Sequence, residues 1–260
     1  MSAKEVFRKL GLWLAKSLFV MLIIAAIMIS GVSKITDSSF LKPVLGEVIT
    51  LQAQNIPLDE QYQGFIQMCN IQKTEIQSIP FNSDLGNLTL TINCTALKQN
   101  GKSELIDIFS SQVVNKAFDN SYNKKVCSGY DCLKMLQNLQ NPLDLVTKDF
   151  NDFMKSQAFM LIGLSVLFGI FVLLLAKGWP AKVASLGSSL FTAGLPYFVF
   201  ILVKSQLASL IPGGMGAQLS PFIDMIINPI MASFLWVLIA GAVLMVSGWI
   251  WKFSLRKKKK

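Results

Sequence analysis

The chain has 260 residues, of which 52% are hydrophobic and only 15% are charged. Soluble domains carry about a quarter charged residues, and the mean hydropathy here is +0.50, so the composition excludes an ordinary soluble protein. The formal charge of +9 would suit a nucleic-acid partner, but the position of the basic residues argues against one.

The positive charge is concentrated at predicted membrane edges. Residues 1–16, 177–182 and 252–260 hold half of the 24 basic residues and a single acid, Glu5. The positive-inside rule describes this distribution for cytoplasmic segments. Residues 33–157 contain more acidic than basic side chains, whereas a nucleic-acid-binding domain presents a basic face. We therefore expect no nucleic-acid partner and predict that both termini are cytoplasmic.

The apolar runs predict an α-helical multi-pass protein with four transmembrane helices. The spans are placed in residues 1–32 (after a basic N-terminus), 158–176, 183–204 and 231–251. Between them lie a disulfide-stapled α+β extracytoplasmic domain (33–157), an inner turn (177–182) and an outer loop with a short helix (205–230), and a basic cytoplasmic tail (252–260) follows. This predicts a cell-membrane protein with 33–157 and 205–230 outside. A cleaved signal peptide is an alternative for the first span and also leaves the domain outside.

The insert between the first two spans combines strand and helix signals. From Leu85 to Thr95, apolar and polar residues alternate, which predicts a strand with one buried face. Asn100-Gly101 predicts the turn that ends it, and Ser103 is placed to cap a following helix. A short helix is expected from Leu133 to Leu139, and an Asn141-Pro142 cap begins a helical stripe that leads into the second span.

Proline and glycine predict several interruptions. Pro43 and Gly46 break residues 34–54, and Gly194 with Pro196 predicts a kink in the third span. After the third span, we expect three features in order: a Pro-Gly-Gly break at 212–214, a short helix capped by Ser220-Pro221, and a last span that starts at Asn228-Pro229.

The third span carries small residues at spacing four. These are Ser185, Ser189 and Ala193, and such residues allow helices to pack closely in lipid. Self-association of the chain through this span is therefore one expected interaction. The other expected partners are the lipid bilayer and another membrane or surface protein.

All four cysteines lie in the insert: Cys69, Cys94, Cys127 and Cys132. An even number on one side of a membrane indicates disulfides in an oxidising compartment. The short spacing favours Cys127 with Cys132, which leaves Cys69 with Cys94, although spacing alone leaves the other two connectivities open. A four-cysteine zinc site or a redox pair is the alternative, but the spacing resembles neither. No metal or cofactor is predicted.

Two glycosylation acceptor triplets occur, at Asn87-Leu-Thr and Asn93-Cys-Thr. Both asparagines fall on the polar face of the predicted strand, so a sugar there would not enter the core. The alternative is a polar strand face without modification.

Lys204 and Asp224 are the charged residues near the outer ends of the last two spans. They could pair or line an ion path if the Pro-Gly-Gly segment enters the membrane. The alternative is that both side chains lie at the interface, in water.

Catalytic patterns are lacking in the sequence. The chain has no histidine, no G-x-S-x-G motif and no phosphate-binding glycine loop, so no catalytic residue is assigned. We predict a non-enzymatic scaffold, adhesion or complex-assembly protein at the cell surface. A subunit of an oligomeric channel or transporter is the alternative, and a membrane-embedded enzyme is a weaker one.

Overall fold

The computed structural model describes residues 3–53, 59–72, 76–83, 86–108, 111–112, 115, 118–119, 122–129, 131–137, 146–210 and 215–257. In chain order the elements are α1 (Ala3–Ile35), α2 (Ser38–Ala53), α3 (Asp59–Gln72), β1 (Ile76–Ser83), β2 (Gly86–Asn93), α4 (Cys94–Asn100), α5 (Lys102–Ile108), α6 (Asp131–Gln137), α7 (Lys148–Leu175), α8 (Trp179–Gly194), α9 (Pro196–Leu210) and α10 (Met215–Lys257). The chain divides into two compact units. The first is Met1–Lys34 with Phe153–Lys260, and the second is Ile35–Asp152.

Four segments of the described chain are long and apolar enough to cross a membrane. They are Ala3–Ile35, Lys148–Leu175, Trp179–Lys204 and Ile223–Leu255. The prediction of a membrane protein with four spans is confirmed by the length and composition of these helices. Large apolar side chains on these helices remain exposed, among them Phe159, Leu174, Val199 and Trp236, as expected for surfaces that face lipid.

The most extensive contact in the first unit joins α8 to α10. Four pairs face each other in antiparallel register: Ala184 with Gly248, Gly187 with Met245, Phe191 with Gly241, and Gly194 with Leu238. Each pair contains one glycine, and the positions recur in steps of three and four along both helices, which is the periodicity of a coiled-coil seam. Without a Cβ on one side, the two backbones touch, and van der Waals packing of this kind holds helices together in lipid.

The third predicted span consists of two helices. α8 ends at Gly194 and α9 begins at Pro196, with Leu195 as the turn between them. The break falls where Gly194 and Pro196 predict a kink, because proline lacks the N–H that would continue the helix. The preceding inner turn is shorter than expected: residues 176–178 are non-helical, and α8 begins at Trp179 with Pro180 in its first turn.

The last span begins earlier than the sequence predicts. Residues 205–210 belong to α9, and α10 continues without interruption through both Pro221 and Pro229, so the described part of 205–230 is helical rather than a loop with a separate short helix. The carbonyl of Pro229 accepts a hydrogen bond from Ser233 Oγ at 3.0 Å. This is the back-bonding to the i−4 carbonyl that serine commonly makes within helices.

α1 contacts two other helices of the first unit through glycines. A Cβ on Gly169 of α7 would lie 3.1 Å from the Phe19 ring, and a Cβ on Gly31 would lie 2.5 Å from Cγ1 of Ile230. Both contacts place a bulky side chain directly over backbone, so α1 packs against α7 and α10 at these two points.

The second unit is mostly helical, with one β-hairpin. Its strands pair antiparallel from Ile76 opposite Asn93 to Ser83 opposite Gly86. The strand expected from Leu85 to Thr95 therefore ends at Asn93, and α4 begins at Cys94. The core of this unit contains Cys69, Ile92, Cys94, Leu97, Leu105 and Ile108, with Tyr62, Phe65 and Ile66 packed against it.

Several helices of the second unit differ from the sequence expectations. Pro43 and Gly46 predict an interruption of the segment 34–54, but both residues lie inside the continuous helix α2. Asp37 caps the first turn of this helix, with its Oδ1 3.0 Å from the Ser39 amide nitrogen. Ser103 lies inside α5 and donates to the Asn100 carbonyl at 2.7 Å instead of capping the helix.

Four expectations concern residues outside the described part of the chain. They are Leu85 at the strand start, the Asn141-Pro142 cap, the break at 212–214 and the terminal lysines 258–260.

Candidate functional site

Two disulfides cross-link the second unit. Cys69 of α3 joins Cys94 at the start of α4, and Cys127 joins Cys132 at the start of α6, with S–S distances of 2.05 and 2.00 Å. These are the pairs that spacing favours among the three connectivities. No cysteine of the chain is left free, and both bridges belong to Ile35–Asp152.

The Cys69–Cys94 bridge is at the centre of the core. Both cysteines are 5% exposed, and Leu97 and Leu105 beside them are fully buried. The bridge therefore fastens α3 to the point where the hairpin becomes α4. Burial of these side chains stabilises the unit, and the bridge restricts its unfolded state.

Asn93 lies at the junction where β2 ends and α4 begins. Its Oδ1 accepts hydrogen bonds from the backbone amides of Thr95 at 3.0 Å and Ala96 at 3.1 Å, so it is the N-cap of α4. The side chain is exposed. Because both capping bonds use the oxygen, they leave the amide nitrogen, the atom that a glycan would modify, outside the cap.

Gln112 covers the free edge of β2. Its Oε1 accepts from the Thr91 backbone amide at 2.7 Å, and its Nε2 donates to the Thr91 carbonyl at 2.6 Å. The side-chain amide thus takes the place of a neighbouring strand at this position, and satisfied edges resist unwanted strand pairing. No local sequence pattern predicts this contact, because the two residues are 21 positions apart in the chain.

The two ends of the second unit meet in a buried polar cluster. Asn151 Nδ2 donates to Thr36 Oγ1 at 2.9 Å, and Thr147 Oγ1 accepts from the Phe150 amide at 3.5 Å. The three polar residues Thr36, Thr147 and Asn151 are each less than 9% exposed. The hydrogen bond between Asn151 and Thr36 thereby joins the two ends of the second unit.

The Cys127–Cys132 loop is fastened to the same region. Asp149 Oδ2 accepts a hydrogen bond from the Val126 backbone amide at 3.3 Å. Asp149 lies in the first turn of α7, where a negative charge also suits the helix dipole. The short disulfide loop therefore contacts the segment that closes the unit.

Lys204 and Asp224 form an ion pair in the first unit, with Nζ 2.8 Å from Oδ1. Lys204 Nζ also donates to Asn228 Oδ1 at 3.0 Å. Asn228 is not among the predicted site residues, although it lies one helical turn after Asp224 on α10. The side chains of the pair are 32% and 42% exposed. The arrangement joins α9 to α10 through a partly exposed cation, a carboxylate and an amide.

Among the described residues, no group of three or more potential metal ligands comes together. Comparison of the chain with protein-family models, curated proteins and solved structures gives no match. The residues that the structure itself brings together therefore carry the functional inference.

Proposed function

We propose that this chain is a non-enzymatic integral membrane protein of the cell surface that displays the unit Ile35–Asp152 outside the cytoplasm and uses it to assemble with another membrane or surface protein. One observation carries the proposal: both disulfides belong to this unit, which lies in the chain between the first two candidate spans. Disulfides form and persist in oxidising compartments.

Closure of the unit supports its role as a displayed domain. Thr36 and Asn151 hold its two ends together, and Cys69–Cys94 fastens its core. A domain inserted between two membrane helices needs neighbouring ends, because it leaves the membrane and returns to it. The exposed Asn93 amide is a suitable place for a sugar, and Asn87 is the second acceptor in this proposal.

The basic residues at the opposite ends of the spans support the orientation. Lys177 lies in the turn between the second and third spans, Lys182 lies in the first turn of α8, and the last span is followed by a lysine-rich tail. Such segments are retained in the cytoplasm. The two termini then lie inside and the disulfide-containing unit lies outside.

Cysteine accessibility tests this orientation in intact cells. Single cysteines are introduced at the exposed positions Lys98, in the displayed unit, and Lys177, in the inner turn. A membrane-impermeant maleimide should label Lys98→Cys directly and Lys177→Cys only after permeabilisation. The reverse pattern would overturn the proposal.

Site-specific photo-crosslinking tests assembly. A photoreactive amino acid is placed at the exposed Lys98 or Asn70 of the displayed unit, and at the exposed Phe171 of α7 as the matched lipid-facing control. A discrete protein adduct from the first two positions and none from Phe171 is expected. Absence of any adduct from the displayed unit would contradict an assembly role.

A channel or transporter subunit is the second candidate, and the Lys204–Asp224–Asn228 cluster favours it. Ionisable residues within membrane spans often mark ion or substrate pathways, and Lys204 and Asp224 fall inside the third and fourth candidate spans. Purified protein in liposomes would then pass ions, and Asp224→Asn would change the flux. Equal, background-level flux for wild type and variant would remove this candidate.

A further inference from the structure

An open groove of about 330 Å³ runs between α1 and α8. Trp13, Lys16 and Ser17 line it from α1, and Ser188, Ser189 and Thr192 line it from α8. Both helices belong to the first unit, and both segments lie in candidate spans. The groove thus combines one cation with several hydroxyl groups inside apolar helices.

Lys16 points into this groove. Its Nζ lies 3.5 Å from Ser188 Oγ, at the long end of hydrogen-bond distances. Within the part of the chain that the structure describes, Lys16 has no carboxylate partner. A cation in an apolar span is costly unless an anion or water compensates its charge, so the groove is electrostatically suited to an anion.

The depth of the ammonium group is informative. Lys16 follows Lys9 by two helical turns, which corresponds to about 10 Å along α1. Ser188 follows Lys182 by a similar distance along α8. The hydrogen bond to Ser188 directs the side chain towards α8 at this level, whereas a lysine that simply snorkels extends towards bulk water.

The lining changes from polar to apolar along the groove. Lys16 and Ser17 are followed one turn later on α1 by Val20 and Met21, which complete the groove wall. Trp13, one turn before Lys16, is 64% exposed, and Met21 is 70% exposed. Tryptophan prefers the headgroup level of a bilayer. Along α1, Trp13 therefore corresponds to the membrane interface, Lys16 to the level of a lipid phosphate, and Val20 with Met21 to the level of an acyl chain.

We propose that this groove binds one anionic phospholipid, with its phosphate paired to Lys16 and an acyl chain along Val20 and Met21. Basic pockets between transmembrane helices on the positively charged side of a protein attract anionic headgroups. A carboxylate from a partner protein would use Lys16 alone, whereas a phospholipid also uses the apolar end of the groove. The site is independent of the displayed unit.

Native mass spectrometry of the full chain tests the proposal. The protein is purified in detergent and titrated with phosphatidylglycerol or, for comparison, with zwitterionic phosphatidylcholine. Wild type should prefer phosphatidylglycerol, and Lys16→Gln should weaken that binding about tenfold, as expected for loss of a charge-assisted hydrogen bond. Lys16→Arg should retain it. Lys9→Gln removes an exposed lysine of α1 outside the groove and should change the affinity less than about twofold.

A second variant separates binding from folding. Val20→Phe keeps Lys16 but fills the apolar end of the groove, so it should also weaken phosphatidylglycerol binding, and thermal unfolding without added lipid verifies that each variant is folded. Equal binding of both lipids by wild type, unchanged binding by folded Lys16→Gln, or displacement of the lipid by inorganic phosphate alone would each overturn the proposal.

Discussion

Gly194 of α8 lies so close to Leu238 of α10 that a Cβ added to the glycine would be 2.5 Å from the leucine Cα. The obstacle is backbone, which cannot rotate away as a flexible side chain can. The two helices must therefore separate to accept any larger residue. The same relationship recurs where Gly248 meets Ala184, with a distance of 2.6 Å from the added Cβ to the alanine nitrogen.

We expect Gly194→Ala to destabilise the first unit by about 1–3 kcal/mol, the usual cost of overpacking. The loss arises because separation removes van der Waals contacts along the whole α8–α10 seam. SDS-induced unfolding in mixed micelles, followed by tryptophan fluorescence, measures the change in the free energy of unfolding.

Gly163→Ala is the matched control. Gly163 lies in α7, and an added Cβ there meets nothing within 4 Å. Alanine should leave stability unchanged or raise it by up to about 1 kcal/mol through helix propensity. Equal losses for Gly163→Ala and Gly194→Ala would contradict the close α8–α10 contact.

Gly31 and Ile230 give a second packing prediction, in which the obstacle is a side chain. A Cβ on Gly31 would lie 2.5 Å from Ile230 Cγ1 but 3.7 Å from its Cβ. Gly31→Ala alone should destabilise the unit by about 1–2 kcal/mol. In combination with Ile230→Ala, the added methyl group has room, so its cost should largely disappear.

A double-mutant cycle of these two positions measures the coupling directly. We expect an interaction energy of at least about 0.5 kcal/mol, since the residues are in contact. Additive effects would mean that Gly31 and Ile230 do not touch in the protein. Gly163→Ala, in the same unit and with nothing within 4 Å of an added Cβ, again serves as the control for the glycine substitution.

The helical spans were predictable from the sequence because bilayer crossing requires long apolar runs. The partner of the third span was not predictable. Small residues such as Ser185 and Ser189 signal close packing, but the pattern does not say whether the neighbour is another chain or another helix. In the structure, Gly187 and Gly194 on that helix face α10 of the same chain.

The errors in local structure have a common physical origin. Pro43 predicts a helix break, and Pro221 and Pro229 predict helix starts, yet each of the three lies inside a helix. Asn93 continues the strand alternation, and its capping bonds to Thr95 and Ala96 appear only when the backbone turns. In these places, tertiary context decides what the local pattern leaves open.

The two disulfides should contribute unequally to stability. Cys69–Cys94 closes a separation of 25 residues and Cys127–Cys132 a separation of 5. The loop-entropy relation gives about 3.5 kcal/mol for the first and about 2 kcal/mol for the second. Replacing each pair by alanine and following hydrogen exchange of α4 and α5 in the full chain checks the order.

Loss of the first bridge should also increase exchange around Leu97 and Leu105, because both pack beside it in the core. Loss of the second should act mainly near Val126 and Asp149, which connect its loop to α7. If replacing Cys127 and Cys132 increased hydrogen exchange in α4 more than replacing Cys69 and Cys94 did, this assignment of the core would be contradicted.

Asn93 allows capping and glycosylation to be separated. Asn93→Ala should cost about 1 kcal/mol, because the Thr95 and Ala96 amides lose their side-chain acceptor. Asn93→Asp keeps an acceptor oxygen and should cost little, although it removes the sugar acceptor. Thermal unfolding after enzymatic deglycosylation measures the capping effect alone.

Thr95→Ala is the matched control for the sugar. It removes the acceptor triplet but retains the backbone amide that Asn93 caps. If Asn93 carries a glycan, Asn93→Asp and Thr95→Ala should give the same increase in electrophoretic mobility. A mobility unchanged in both, from a host that glycosylates, would refute modification at this position.

The Lys204–Asp224 pair should behave as a partly exposed ion pair. Its side chains are 32% and 42% exposed, and the Nζ–Oδ1 distance is 2.8 Å. Each single neutralisation, Lys204→Gln or Asp224→Asn, should therefore cost less than about 1 kcal/mol in detergent, and less still at high salt. The exchanged variant, Lys204→Asp with Asp224→Lys, should recover part of the loss because the two charges still attract.

Asn228 refines this test, since it is the second acceptor for Lys204 Nζ. Asn228→Ala should weaken the unit by about 0.5–1.5 kcal/mol, and the effect should vanish when Lys204 is already glutamine. A loss of several kcal/mol for Asp224→Asn would instead indicate a charge shielded from water. A shielded charge between α9 and α10 would favour the transport candidate over simple anchoring, so the magnitude of this one effect bears on function as well as stability.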